Sequence, residues 1–251
     1  MAEVLKVGNR TITDAEIVPL LAHYQLLPQL LKELIIDEAI APYTCTPEEI
    51  ASARQQFNVK HQLTTEAAHQ DWLQRNGMTS VQWESLTSRG LRIEKFKQAT
   101  WEHKLESYFL KRKGQLDKVI YALIRTKDMG LAQELYFRIQ EGEQSFSELA
   151  RDYSLGMEAQ TGGLIGPVEL STAHPTLARM LAVSQPNQLW PPLPLGEWFV
   201  IVRLEKFIPA QLDESMRQRL MNELFTTWLQ EQLLQANPVH SLGVTATPTT
   251  Q

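Results

Sequence analysis

The sequence predicts an α+β protein: a helical N-terminal region, then a small sheet flanked by helices, then one more helix. Three observations predict it. The first region, up to about residue 115, carries repeated helix-start signals and apolar residues at helical spacing. Beyond it lie two short apolar runs of strand length, at 119–124 and 198–204. Last comes an amphipathic segment after Asp213 whose wide apolar stripe must bury against something.

Each element has a local cause. Val4-Leu5-Lys6-Val7, Gly8-Asn9-Arg10 and Thr11-Ile12-Thr13 read as a short strand, a tight turn and a return into a helix. Thr13 and Glu16 stand at capping-box spacing and start that helix, which ends before Pro28. Pro28 suits the first turn of a second helix bearing Leu30, Leu31, Leu34, Ile35 and Ala39. Thr46-Pro47-Glu48-Glu49 announces a third helix. A fourth spans about 66–75 and stops at Asn76-Gly77, where glycine permits a left-handed cap. Thr79 with Gln82 opens a long helix through Trp83, Phe96, Trp101 and Phe109 to the basic Lys111-Arg112-Lys113, whose charges suit the negative end of the helix dipole. After the first apolar run come helices at 131–140 and from Ser145, the pair Gly162-Gly163, a short helix after Pro175, and the second apolar run. Asp213 caps the last helix.

Composition narrows the function classes. Of 251 residues, 43% are apolar, 21% are charged, and the net charge is −5, which excludes general disorder and the broad basic field that neutralises nucleic-acid phosphates. The single cysteine, Cys45, excludes an internal disulfide and a cysteine-based metal cluster, and the histidines lack the paired spacing of a metal site. No apolar run reaches the roughly 18 residues of a membrane span, and the opening lacks a run of signal-peptide length, so the expected compartment is the cytoplasm.

The segment 131–154 joins a helix and a glycine turn to Phe146-Ser147-Glu148-Leu149-Ala150-Arg151-Asp152-Tyr153-Ser154, and Thr161-Gly162-Gly163-Leu164-Ile165-Gly166 follows. This order resembles the parvulin-type peptidyl-prolyl isomerases, whose pattern is Phe-x-x-Leu-Ala-x-x-Tyr-Ser followed by Gly-Gly-Asp-Leu-Gly. The resemblance covers about 117–209. The flanks resemble chaperones of the SurA and PrsA type, in which a helical domain is completed by a helix returning from beyond the isomerase domain. The domains so implied are a helical chaperone-like region at 1–115, a parvulin-like region at 116–210, the returning helix at 211–236 and a disordered Thr- and Pro-rich tail at 237–251. No cofactor is implied. The partner implied is an unfolded or Pro-containing client polypeptide, with neither nucleic acid nor membrane insertion.

Rotating an X-Pro bond meets a barrier of about 18–20 kcal/mol set mainly by amide resonance. A catalyst therefore needs an apolar pocket that grips the proline and polar groups around the rotating carbonyl. Carried over from the resemblance, the apolar floor falls on Ile165, Ala173 and Leu177. The two family histidines fall on Tyr121 and Val200, the Cys or Asp near Gly156, and the hydroxyl residue near Leu195 or Glu197. The polar groups that remain are the Tyr121 hydroxyl, the candidate catalytic group, with Glu197 and His174 as alternatives, and Ile165, Ala173, Leu177, Val200 and Phe199 are candidate peptide-binding residues. His174, beside a floor position, reads as a histidine at a helix start. The reading is a parvulin-like isomerase and chaperone that binds Pro-containing or apolar segments and turns over slowly because the histidines are replaced. Its alternative is a non-catalytic adaptor or assembly factor docking one fixed partner.

Overall fold

Gly8, at φ 58°, lets the chain reverse between strands β1 (Glu3–Val7) and β2 (Arg10–Thr13), which pair antiparallel. The computed structural model of the protein describes residues 3–236. The disorder expected of the tail from Asn237 lies outside the described residues.

Helix α1 (Asp14–His23) starts where the amide of Thr13 donates to the Glu16 carboxylate at 2.9 Å. Helix α2 (Leu27–Ile40) takes Pro28 in its first turn. In α3 (Pro47–His61) the Thr46 amide donates to Glu49 at 2.8 Å and the Glu49 amide donates back to the Thr46 hydroxyl at 3.3 Å. Helix α4 (Glu66–Asn76) ends on Gly77 at φ 61°. Helix α5 (Ser80–Leu116) begins with the reciprocal Thr79 and Gln82 bonds. These caps satisfy amides that the first helical turn leaves without partners.

The capping carboxylates make the helices acid-sensitive. Glu49 is held below the usual carboxylate range by hydrogen bonds from Lys95 and from the Thr46 amide, Glu16 by its bonds from Thr13, and a later cap, Glu148, by its bonds from Ser145. A depressed carboxyl contributes stability that is complete above the unfolded glutamate value of about 4.3 and is lost as pH falls through the lowered folded value. Helical circular dichroism is therefore expected to hold from pH 7 to about 5 and to fall in an acid titration below about 4.

The chain divides into two compact units, Glu106–Met216 and the remainder on either side of it. The core of the helical unit is built on Ile36, Ile40, Leu73, Trp83, Phe96, Trp101 and Leu105. Helix α9 (Glu214–Ala236), capped by Asp213 accepting from the Met216 amide at 2.8 Å, adds Leu220, Met221 and Leu229. Its Trp228 ring lies 4.9 Å from Phe96 and 6.2 Å from Trp101, so the orphan stripe finds its partner on α5. Lys97, buried here, is satisfied by Glu94 and by the Asn222 side chain, both at 2.6 Å.

The other unit is a four-stranded antiparallel sheet in the order β4-β3-β6-β5. It comprises β3 (Lys118–Thr126), α6 (Met129–Gln140), α7 (Phe146–Tyr153), a 3-10 turn at Met157–Thr161, β4 (Leu164–Glu169), α8 (Pro175–Val183), β5 (Leu189–Leu195) and β6 (Trp198–Ile208). Asp117 pins its start, its carboxylate accepting from Lys113 at 2.9 Å and from the Ala210 amide at 2.7 Å. On one sheet face, α6 and α7 pack Leu135, Phe146, Leu149 and Ala150 against Ala122, Ile124 and Ile201. On the other, Leu177 and Leu181 of α8 pack against Tyr121, Leu123, Val200, Val202 and Leu204.

Strands β4 and β5 are additions to what periodicity predicts. Strand β5 contains Pro191, Pro192 and Pro194, which a central strand excludes and an edge strand accepts. Strand β4 starts in the glycine turn, where Gly166 sits at φ 119° and an added Cβ would fall 2.5 Å from the Val119 carbonyl oxygen. Gly166→Ala is expected to destabilise by about 1–3 kcal/mol from the backbone conformation alone, read as a lower denaturation midpoint; an unchanged midpoint would show that β4 moves away from β3 without loss.

Candidate functional site

Strand alternation sorts the candidate residues. Tyr121 is opposite Leu204 and Arg125 opposite Val200, while Ala122 is opposite Arg203 and Thr126 opposite Phe199. Paired residues share a face, so Tyr121, Arg125 and Val200 stand on the α8 side and Phe199 on the α6–α7 side. Tyr121, Leu177 and Val200 meet in one apolar cluster with Ile165 packed against it. They are 6%, 4% and 1% exposed, so α8 covers that part of the floor. Ala173 follows a 3-10 turn at Leu170–Thr172 and is half-buried. Phe199 is not brought in with them, because its neighbour Val200 already points to the α8 side and successive strand residues alternate.

Burial pushes the Tyr121 hydroxyl up from its ordinary pKa, with the Arg125 charge acting against that shift and the Glu158 charge with it. The hydroxyl has no hydrogen-bond partner among the described residues. His174 accepts from the Thr176 amide at 3.3 Å and caps α8, the helix-start role read from the sequence. Leu195 is half-buried beside the cluster, and exposed Glu197 pairs with Lys127 at 3.7 Å, whose ammonium lies 5.1 Å from the Trp198 ring centre.

The polar centre at this face is a group that sequence spacing missed. The Arg125 Nε and Nη2 donate to the two oxygens of Glu158, each at 2.7 Å, and the Ser154 hydroxyl donates to the same carboxylate at 2.6 Å. The Glu158 side chain is 2% exposed and the Arg125 side chain 33%. Burial alone would raise the Glu158 carboxyl, but the hydrogen bonds from Arg125 and Ser154 outweigh it and hold the group below the usual range. The main chain is stitched alongside: the Arg125 amide donates to the Ser154 hydroxyl at 3.1 Å and the Leu155 amide to the Arg125 carbonyl at 3.0 Å. A Cβ on Gly156 would lie 2.2 Å from one Glu158 oxygen and 2.4 Å from the Arg125 Nε. The ion pair thus occupies the volume that a side chain at 156 would need.

Chemically, this face offers an apolar floor, mostly closed over, and a fixed guanidinium at its rim beside the exposed Leu155 and Met157. The opposite face carries a cavity of about 470 Å³ lined by Phe146, Gly162, Leu164, Arg203 and Glu205 among others, with the Arg203 guanidinium 5.0 Å from the Phe146 ring centre. No group of three or more His, Cys, Asp or Glu among the described residues could hold a metal, and no described helix is long and apolar enough to cross a membrane.

A four-stranded antiparallel sheet with α8 on one face and two capped helices on the other has the layout of a parvulin-type domain. Residues 125–206 match the family model for the rotamase, PPIC-type PPIASE domain, about a third of the chain. The likeness to that domain lies in residues 125–206, and beyond it the chain resembles PrsA in fold. A curated relative, chaperone SurA of Bordetella pertussis, is 33% identical over 95 residues, covering 37% of this chain and 18% of the relative. The match therefore spans less than a fifth of that protein. The crystal structure of the peptidylprolyl isomerase PrsA from Bacillus cereus is 16% identical, covers 94% of this chain and 92% of its own, and superposes with a TM-score of 0.51, a likeness of fold. These relatives overturn the cytoplasmic location expected above, since SurA and PrsA are periplasmic or cell-surface chaperones. That expectation rested on the opening residues, whose apolar content does not decide the compartment.

Proposed function

We propose that the chain is a client-holding chaperone whose sheet unit binds Pro-containing or apolar segments and turns over X-Pro bonds slowly. One observation carries the reading. At the positions matched to the family histidines stand Tyr121 and Val200, both buried in the apolar cluster, so the face lacks imidazole donors near a rotating amide and offers its apolar contact surface at the rim, on Leu155 and Met157. Apolar surface left open on the helical unit, at Tyr24, Leu26, Leu30 and Leu34, supports the holding role.

The test is peptide titration together with NMR exchange on X-Pro peptides. Saturable binding is expected, with isomerisation close to the uncatalysed rate, which lies in the range of tens to hundreds of seconds. Absence of binding across varied residues before proline would overturn the reading, and fast exchange would overturn its slow-turnover part. The covered floor at Leu177 and Val200 favours a second reading, an adaptor docking one fixed partner. A single stoichiometric partner in pull-downs, without peptide preference, would select it.

A further inference from the structure

We propose that Arg125 is the peptide-contacting polar residue of the sheet unit, that Glu158 and Ser154 are its positioning residues, and that its ligand is a main-chain carbonyl oxygen beside proline. The inference rests on the peptide-binding reading above and deepens it.

Arginine presents five N–H donors in a planar fork. Glu158 takes one from Nε and one from Nη2. Planarity directs the remaining donors away from the carboxylate, and of the two side chains it is Arg125, 33% exposed against 2% for Glu158, that reaches the surface. The buried anion therefore lies behind the cation and fixes its plane. Ser154 holds the same carboxylate and also receives the Arg125 amide, so side chain and main chain of Arg125 are located by one residue. A donor fixed in this way loses little further freedom when an acceptor arrives.

The surroundings define the acceptor. The ion pair is neutral overall, so it offers hydrogen bonds without a net field that would favour an acidic residue. Leu155 and Met157, 61% and 84% exposed, flank Gly156 on the same loop, and Arg125 is directly opposite Val200 in the ladder. Apolar side chains next to a fixed carbonyl donor match an extended apolar segment whose proline amide lacks a hydrogen to donate and presents only its carbonyl oxygens. A pair serving stability alone would have no need for this arrangement, because apolar side chains of similar volume do as well in that role.

The test uses the full chain and a blocked Ala-Ala-Pro-Phe tetrapeptide in calorimetric titration. Arg125→Lys keeps the charge opposite Glu158 but loses the planar fork, and is expected to weaken binding by about tenfold or more when titrated well below its unfolding midpoint. The double variant Arg125→Met with Glu158→Met removes the pair without leaving a lone buried charge, and is expected to fold and to bind as weakly. Glu158→Gln keeps the shape and part of the support, and is expected to weaken binding by a smaller factor. Wild-type affinity in either Arg125 variant overturns the inference while leaving the peptide-binding reading in place. Should the double variant fail to fold, Arg125→Lys decides alone. Absence of tetrapeptide binding by the wild type overturns the inference, and absence across varied residues before proline overturns the peptide-binding reading with it.

Discussion

Glu158→Ala is expected to lose about 3 kcal/mol of stability, because it leaves the Arg125 guanidinium without its carboxylate and empties the space beside Gly156. Removing one member of a buried pair costs about 3–5 kcal/mol, and the exposed part of Arg125 regains water, which places this case at the low end. Chemical denaturation of the sheet unit is the measurement. A loss below about 1 kcal/mol would mean that the pair behaves as an ordinary surface contact. The effect should also shrink in acid. The folded Glu158 carboxyl lies below its ordinary pKa, so its stabilisation is complete above about pH 4.3 and disappears as pH falls through the lowered value.

Trp101→Ala is expected to cost about 3–5 kcal/mol in the helical unit. Trp101 is 8% exposed and its ring makes edge contacts with Phe96 at 5.3 Å, Phe225 at 6.3 Å and Trp228 at 6.2 Å. The loss therefore removes the aromatic seam by which α9 is held to α5, beyond the area term of one indole. Hydrogen-exchange mass spectrometry should show amides at 214–236 exchanging faster by a factor that matches the fall in midpoint. Protection unchanged in α9 would mean that Phe96 and Trp228 hold the seam by themselves.

Local chemistry made much of this fold legible. Thr13 with Glu16, Thr46 with Glu49, Thr79 with Gln82 and Ser145 with Glu148 each place a helix start from residues three apart. Strands β3 and β6 were legible because they are central and apolar on both faces. Strand β5 was hidden by its prolines and β4 by its glycine turn. At the site, Tyr121, Leu177 and Val200 meet in one buried apolar cluster with Ile165 packed against it. Phe199, a candidate peptide-binding residue, stands on the opposite side of the sheet from Val200, as a strict period of two along β6 requires. Arg125 and Glu158 escaped notice for a different reason. They are 33 residues apart, and neither residue type is unusual in its own segment; only the fold brings them within hydrogen-bonding distance.

The prolines of β5 have a consequence for coexistence with other chains. The sheet ends on that side in a strand where three of seven residues lack an amide hydrogen. A foreign strand aligning there would find too few donors to form a ladder. For a protein proposed to work among unfolded polypeptides, this makes one border of its sheet a poor template for aggregation, whatever sequence the client brings.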